Sequence, residues 1–367
     1  MAEKAIRLGG ESTADAIVSA VDSLYPEHTF EDKEFALKHN DDEIAVDTNF
    51  AAQSFWKDAF LRFFGKRSAV LGLILIVVIV LLAVFGPGMN SYTYSGQDLS
   101  QKNFAPRVPG IERLGILDGS EKMSTTTGSK SVNAYVEKGK DDVYYWFGSD
   151  LYGRDIWTRT WEGARVSLII AVAAAVIDMV IGMSYGLISG YFGGRVDMVM
   201  QRFLEVANGI PRLVIVTLLL LVLQPGMVTI IFALMLTEWV GMSRIARAEM
   251  LKLKDQEFVL ASRTLGAGSF FIIFKEVLPN IIGPIITQVM FSIPTAIFTE
   301  AFLSFVGLGI PVPQCSLGSL ISELYNSFTT HPYQIIPPIV VMSLLMLSFN
   351  LVADGLREAL DPKMKSM

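Results

Sequence analysis

Cysteine and histidine are scarce in this chain of 367 residues, which has one cysteine and three histidines. The single Cys315 excludes an internal disulfide framework, and these residues show no metal-ligand spacing. The phosphate-binding pattern Gly-x-x-x-x-Gly-Lys-Ser/Thr is also missing, so we expect the chain to hydrolyse no ATP by itself. These absences predict a protein that is not an enzyme and that itself binds no metal or cofactor.

One string does fit a hydrolase pattern, because residues 182–186 match the nucleophile elbow Gly-x-Ser-x-Gly. The string lies inside an apolar run instead of at a strand-to-helix turn. We therefore assign no catalytic role to Ser184.

Charged residues are few as well. They form 18% of the chain against 51% hydrophobic residues, and the mean hydropathy is +0.45, a composition typical of a membrane protein. The basic residues form no patch interleaved with aromatic residues, which argues against nucleic-acid binding. Residues 1–56 are strongly acidic and lack the cationic and apolar regions of a signal peptide, so we interpret them as an N-terminal extension.

Six segments are apolar and long enough to cross a hydrocarbon core of about 30 Å. They predict an all-α polytopic membrane protein with six transmembrane helices. The segments are residues 68–86, 166–191, 204–223, 227–246, 279–307 and 333–355. We expect Pro284 and Pro294 to kink the fifth helix without ending it.

Lysine and arginine are distributed unequally around these spans. In the short connections they flank the spans on one side of the membrane, whereas the connections 224–226 and 308–332 contain neither residue. The long connection 87–164 is mixed in charge and falls outside this rule, and its side follows from the even count of spans. Because positive charge is retained in the cytoplasm, we expect both termini to be cytoplasmic and the connection 87–164 to be extracellular. Its Gly-, Ser- and Pro-rich stretches predict turns and short strands, and the aromatic residues in 141–161 predict a short amphipathic element at the membrane interface.

Two further patterns lie within the spans. Gly182, Gly186 and Gly190 recur every four residues, which predicts a helix face that another helix approaches closely. Ionisable residues in hydrocarbon are costly and often mark a transport pathway. The ionisable residues found there are Asp178, Glu205, Arg212, Glu238 and Glu300.

From this set we choose Asp178, Arg212 and Glu300 as candidates for the pathway or its gate. A purely structural alternative is that Arg212 pairs with Glu205 or Asp178. A separate structural alternative for Glu300 is that it braces the outer gate.

The connection 247–278 is predicted to contain a short helix, with acidic residues at its start and glycine at its end. This helix would expose Phe258, Leu260 and Leu265 to water, which indicates a docking site for another protein. A second helix is expected to begin near Ser269 and to lead into the fifth span.

At this connection the sequence resembles the binding-protein-dependent ABC importer permeases, whose signature reads Glu-Ala-Ala, three residues, Gly, and a downstream Leu-Pro. Ala261, Gly266, Leu278 and Pro279 match, whereas Leu260 replaces the Glu. The dipeptide and oligopeptide permeases characteristically have a similar sequence in this loop. Further stretches similar to their C-type subunit are residues 147–155, 163–168, 300–309 and 354–362.

The resemblance implies a type I ABC importer permease fold with a cytoplasmic coupling helix, in a bacterial plasma or inner membrane. The implied function is import of di- and oligopeptides. The implied partners are a homologous second permease, two cytoplasmic ATPases that hold ATP and Mg, a lipid-anchored or periplasmic peptide-binding protein, and membrane lipid. The residues implied in ATPase coupling are Glu257, Phe258, Leu260, Ala261, Ser262, Arg263, Leu265, Gly266 and Ala267.

The expected organisation follows from these assignments. It comprises an acidic cytoplasmic extension (1–56), a first transmembrane helix (57–86), an extracellular insertion (87–164), a five-helix core (165–356) with the coupling loop 247–278, and a cytoplasmic tail (357–367). Two alternatives stay open: the same machine importing nickel or another small solute, and an autonomous secondary transporter. The latter predicts inverted repeats and no docking loop.

Overall fold

A computed structural model describes residues 55–125 and 128–360, together with Ser19 and Ser23. Almost all of the predicted N-terminal extension and residues 361–367 of the predicted tail therefore lie outside the described residues.

Long helices dominate the described part of the chain, and five of them are long and apolar enough to cross a membrane. They are α2 (Arg67–Gly88), α4 (Ile156–Phe192), α7 (Met227–Leu253), α9 (Ser269–Leu308) and α11 (Pro332–Leu360). A sixth span results if α5 (Gly194–Gly209) and α6 (Arg212–Val222), which meet at 77°, cross the membrane together. The shorter elements are α1 (Phe55–Gly65), β1 (Ser120–Thr125), β2 (Gly128–Asn133), α3 (Ala134–Glu137), α8 (Glu257–Thr264) and α10 (Leu317–Tyr325).

These helices confirm the predicted all-α membrane fold. Its largest apolar cluster lies between the long helices, with buried residues such as Ile79 of α2, Ile170 of α4 and Ile297 of α9. Pro284 and Pro294 lie inside α9 without ending it, which confirms that part of the prediction; the expected kink stays a prediction.

The third predicted span, 204–223, is wrong as one continuous helix. The helix stops at Gly209 and resumes at Arg212. Pro211 has no backbone N–H to donate, and its ring disfavours the helical conformation at the preceding residue, so Ile210 is extended with φ −83° and ψ 123°. The break places a charged side chain, Arg212, at the first residue of α6.

Two predicted boundaries also move. The segment 57–86 holds two helices instead of one, because Lys66 is extended (φ −89°, ψ 106°) between α1 and α2. The segment 141–161 is not a separate interface element, since α4 begins within it at Ile156. Asp155 caps that helix by accepting a hydrogen bond from the Thr158 N–H at 2.8 Å.

The connecting segments gather at two opposite ends of the helical core. We call the first the hairpin end; it comprises residues 89–155, with β1 and β2 paired antiparallel, and residues 309–331. Nδ1 of His331 contacts Glu121 at 2.9 Å, which joins these two segments. The second, the α8 end, lies at the far ends of α4 and α7, where Gly190 packs against Met250 just before α8.

Candidate functional site

Helix α8 is the short helix predicted in the connection before the fifth span. Glu257 lies in its first turn, where a carboxylate interacts favourably with the helix dipole. The helix ends because Gly266 adopts φ +83°, a conformation that favours glycine. The N–H groups of Gly266 and Ala267 donate to the carbonyls of Arg263 and Ser262, each at 3.0 Å, and so complete a Schellman cap.

One side chain of α8 anchors it to the core. Val259 is fully buried and belongs to the same apolar cluster as Ile272 and Ile273, at the start of α9. The guanidinium of Arg263 also lies 5.5 Å from the centre of the Tyr191 ring at the end of α4. A displacement of α8 would therefore act directly on α9 and α4.

The exposed surface of α8 and of its C-cap carries apolar side chains. Leu265 is 87% exposed, and Phe258 and Leu260 are exposed as well. Among the other predicted coupling residues, Glu257, Ala261, Arg263 and Gly266 are exposed, and Ser262 and Ala267 are half-buried. Exposed apolar groups on a folded, capped helix form a surface suited to another protein.

The three glycines of α4 lie against α7. A Cβ at Gly186 would be 2.2 Å from the Ser243 carbonyl oxygen, and one at Gly182 would be 2.5 Å from the Trp239 carbonyl oxygen. A Cβ at Gly190 would meet Met250 at 2.8 Å. No side chain fits at these distances, so the glycines allow α4 and α7 to approach closely.

Arg212 pairs with neither of the two acids that the sequence suggested. Its guanidinium lies 2.7 Å from Glu238 of α7 and donates to the Thr299 hydroxyl of α9 at 3.2 Å. Glu205 instead pairs with Arg202 on an exposed surface. The partner was missed because Glu238 is distant in sequence and meets Arg212 only through the break before α6.

Asp178 lies close to this pair. It begins a π-helical turn of α4 and is 3% exposed. It lies one helical turn before Gly182, which packs against Trp239, the residue after Glu238. Its Oδ1 has no hydrogen-bond partner among the described residues.

Glu300 occupies a separate site at the hairpin end of α9. It is fully buried, and its carboxylate accepts hydrogen bonds from Ser167 at 3.1 Å, Ser304 at 2.7 Å and Ser316 at 2.5 Å. Ser316 is also the N-cap of α10. The carboxylate therefore joins α4, α9 and the start of α10, and the three predicted pathway candidates do not form one site.

A buried ion cluster at the hairpin end was not predicted. Asp150 accepts from Arg154 at 2.7 Å and from Arg159 at 2.8 Å, and Glu323 of α10 accepts from Arg159 at 2.6 Å and also from Arg154. Burial raises the pKa of Glu323, but Arg159 and Arg154 outweigh burial and hold this pKa below its usual range. The only sequence signal was the four-residue spacing of Asp150 and Arg154, since Glu323 is 164 residues from Arg159.

A groove of about 1130 Å³ opens at the α8 end between α1, α7, α9 and α11. Its walls include Trp56, Ile245, Glu249, Gln288, Phe291 and Arg357. The groove is partly polar, and it follows α7 and α9 towards the Arg212–Glu238 pair.

Comparison with known proteins identifies two matching families. Residues 182–366 match the family described as binding-protein-dependent transport system inner membrane component. Residues 54–106 match the N-terminal TM domain of oligopeptide transport permease C.

Individual relatives span most of the chain. The oligopeptide transport system permease protein OppC of Bacillus subtilis is 43% identical over 85% of this chain and 91% of its own length. The dipeptide transport system permease proteins DppC of Bacillus subtilis and Lactococcus lactis are 38% and 42% identical, over 91% and 85% of this chain and 94% and 92% of theirs. One chain of an inward-facing MetNI methionine ABC transporter covers 54% of this chain and 94% of its own, at 16% identity and a TM-score of 0.46.

Proposed function

This chain belongs to the family of binding-protein-dependent transport system inner membrane components, and from that premise we propose that it forms half of the membrane pathway of an ABC importer for short peptides. Relatives that are named as oligopeptide and dipeptide permeases, each matched over at least nine tenths of its length, support peptides over nickel or another small solute as cargo.

The observation that carries the proposal is the geometry of α8. It is a capped helix, it is anchored by Val259 against the start of α9, and its exposed face is apolar. Such a helix is suited to receive force from a second protein and to pass it to a transmembrane helix. In the proposed complex the second protein is an ATPase that holds ATP and Mg, and its closure moves α8 and, through Ile272 and Ile273, α9.

The remaining partners complete the transport complex. A homologous permease supplies the other half of the pathway, a second ATPase docks on it, and a lipid-anchored or periplasmic binding protein delivers the peptide. We place the complex in a bacterial cell membrane with α8 and both termini in the cytoplasm. The orientation is supported by the lysine and arginine residues near α8, set against their absence from 224–226 and 308–332.

The test is ATP-dependent uptake of a labelled tetrapeptide into vesicles that contain the complete complex. We compare the wild type with Leu265→Asp, which places a charge on the exposed face of α8, and with the matched control Leu265→Met, which keeps that face apolar. We expect Leu265→Asp to lower uptake at least tenfold while the permeases stay assembled, and Leu265→Met to retain it.

Two results would contradict the proposal. Full uptake by Leu265→Asp would show that the exposed surface of α8 has no role in coupling. Peptide uptake in vesicles without any ATPase would instead indicate an autonomous secondary transporter.

A further inference from the structure

Three ionisable side chains meet at irregular points of three core helices. Arg212 begins α6 directly after the break, Glu238 is the single residue between the two helical segments of α7, and Asp178 begins the π turn of α4. Glu238 contacts Arg212 at 2.7 Å. Asp178 lies one helical turn before Gly182, where a Cβ would be 2.5 Å from the carbonyl oxygen of Trp239, the residue after Glu238. Interrupted helices that bring polar groups together inside the membrane are the usual way in which transporters build a binding site.

The charges in this group do not balance. Two carboxylates face one guanidinium, and Arg212 is engaged with Glu238 and Thr299. Ser292 neighbours Asp178, but it has a single hydroxyl proton and donates it to the Val289 carbonyl at 2.9 Å. A buried carboxylate with a free oxygen is costly in a membrane core, so the group as the described residues form it lacks one positively charged partner.

One member of the group, Arg212, lies partly at the surface of the chain. The side chain of Arg212 is 43% exposed, although it holds a buried acid. The groove at the α8 end extends along α7 as far as Ile245 and along α9 as far as Phe291. Glu238 lies two helical turns beyond Ile245, about 10 Å along the helix, and Thr299 lies about 12 Å beyond Phe291. The ionisable group thus lies further along the same two helices that line the groove.

We propose that Asp178, Glu238 and Arg212 form a transit site for the α-ammonium group of the peptide cargo. This inference rests on the proposed function as a peptide importer. Arg212 is the resident counter-ion of Glu238, and the incoming ammonium replaces it between the two carboxylates. The freed guanidinium then faces the carboxylate of the same peptide. Because one ion pair is exchanged for another, the cargo is held weakly enough to leave.

The test combines a change in the protein with a change in the peptide. Uptake into proteoliposomes that contain the complete complex is measured for trialanine and for N-acetyl-trialanine, at concentrations that give a readable rate for each in the wild type. The variants are Asp178→Asn and Glu238→Gln, which keep the shape of the side chain. Glu205→Gln, an acid exposed on α5, is the matched control.

We expect each of the two variants to lower trialanine uptake about tenfold and to leave uptake of the acetylated peptide within twofold of the wild type. An equal loss for both peptides would overturn the transit site and show that the carboxylates only stabilise the fold. Unchanged trialanine uptake in both variants would overturn it as well. If wild-type complex imports neither peptide, it is the proposed function that fails.

A second measurement does not depend on the binding protein. Binding of radiolabelled trialanine to the purified complex without binding protein is measured by equilibrium dialysis. We expect binding that Asp178→Asn weakens at least tenfold and Glu205→Gln leaves unchanged. Equal binding to wild type and Asp178→Asn would mean that a proton, and not the peptide, balances the second carboxylate.

Discussion

The two ends of the helical core differ in how completely they are built from this chain. At the hairpin end, Arg154 and Arg159 are buried against Asp150 and Glu323, and every one of these charges has a partner of opposite sign. At the α8 end, Leu265 and its apolar neighbours project into water from a helix that a single buried residue, Val259, anchors.

This difference separates stability from coupling. A buried, mutually satisfied ion cluster holds the fold together, and removal of one member leaves an uncompensated charge. An exposed apolar face contributes almost nothing to the isolated chain and acts only when a partner covers it. Substitutions in the ion cluster at the hairpin end should therefore destabilise the protein, and substitutions on the exposed surface of α8 should leave it folded but inactive.

Arg159→Met should have the largest effect on stability. The side chain is fully buried and pairs with both Asp150 and Glu323, so its loss leaves two acids sharing Arg154. The expected cost is about 3–5 kcal/mol, which corresponds to a fall of roughly 10 °C in the unfolding midpoint of the protein in detergent. Arg202→Met, which removes an exposed pair, should change the midpoint little. Equal midpoints for the two variants would refute the structural role of the cluster.

Gly186→Ala should have the next largest effect. The new Cβ would lie 2.2 Å from the Ser243 carbonyl oxygen and 2.8 Å from the Ala246 Cβ, so α4 and α7 must separate. The expected cost is about 1–3 kcal/mol. Gly241→Ala is the matched control on α7, because its Cβ would meet nothing within 4 Å and alanine favours a helix. Equal unfolding midpoints for Gly186→Ala and Gly241→Ala would contradict the close packing of α4 and α7.

Hydropathy and motif spacing were sufficient to predict the membrane helices and α8, because both depend on residues that are close in sequence. The break before α6 was missed although Pro211 signals it, because a hydropathy window counts apolar residues and ignores the missing N–H. The Glu238 partner of Arg212 and the Glu323 partner of Arg159 could not be predicted, since each contact joins helices whose packing is set by the whole fold.

A smaller effect is expected from pH. Arg159 and Arg154 hold the pKa of Glu323 below its ordinary value of 4.5, so ionised Glu323 stabilises the folded state above that value. This contribution should be lost as the pH falls through the folded-state pKa, below about pH 4.5. The unfolding midpoint of the wild type should therefore fall more steeply on acidification than that of Glu323→Gln. Parallel curves would show that Glu323 binds its proton equally in the folded and unfolded states.

Phe258→Ala should have the smallest effect on stability and still abolish most of the coupling. Phe258 is 38% exposed on α8, outside the apolar cluster that holds Val259, so its truncation should lower the free energy of unfolding by only about 1 kcal/mol. Val259→Ala on the same helix should destabilise the protein, because it empties a buried site. Phe258→Ala should lower peptide uptake strongly and the unfolding midpoint little, whereas Val259→Ala should lower the unfolding midpoint. If Phe258→Ala lowered the midpoint as much as Val259→Ala, the exposed face of α8 would belong to the fold of this chain, and the contrast between its two ends would fail.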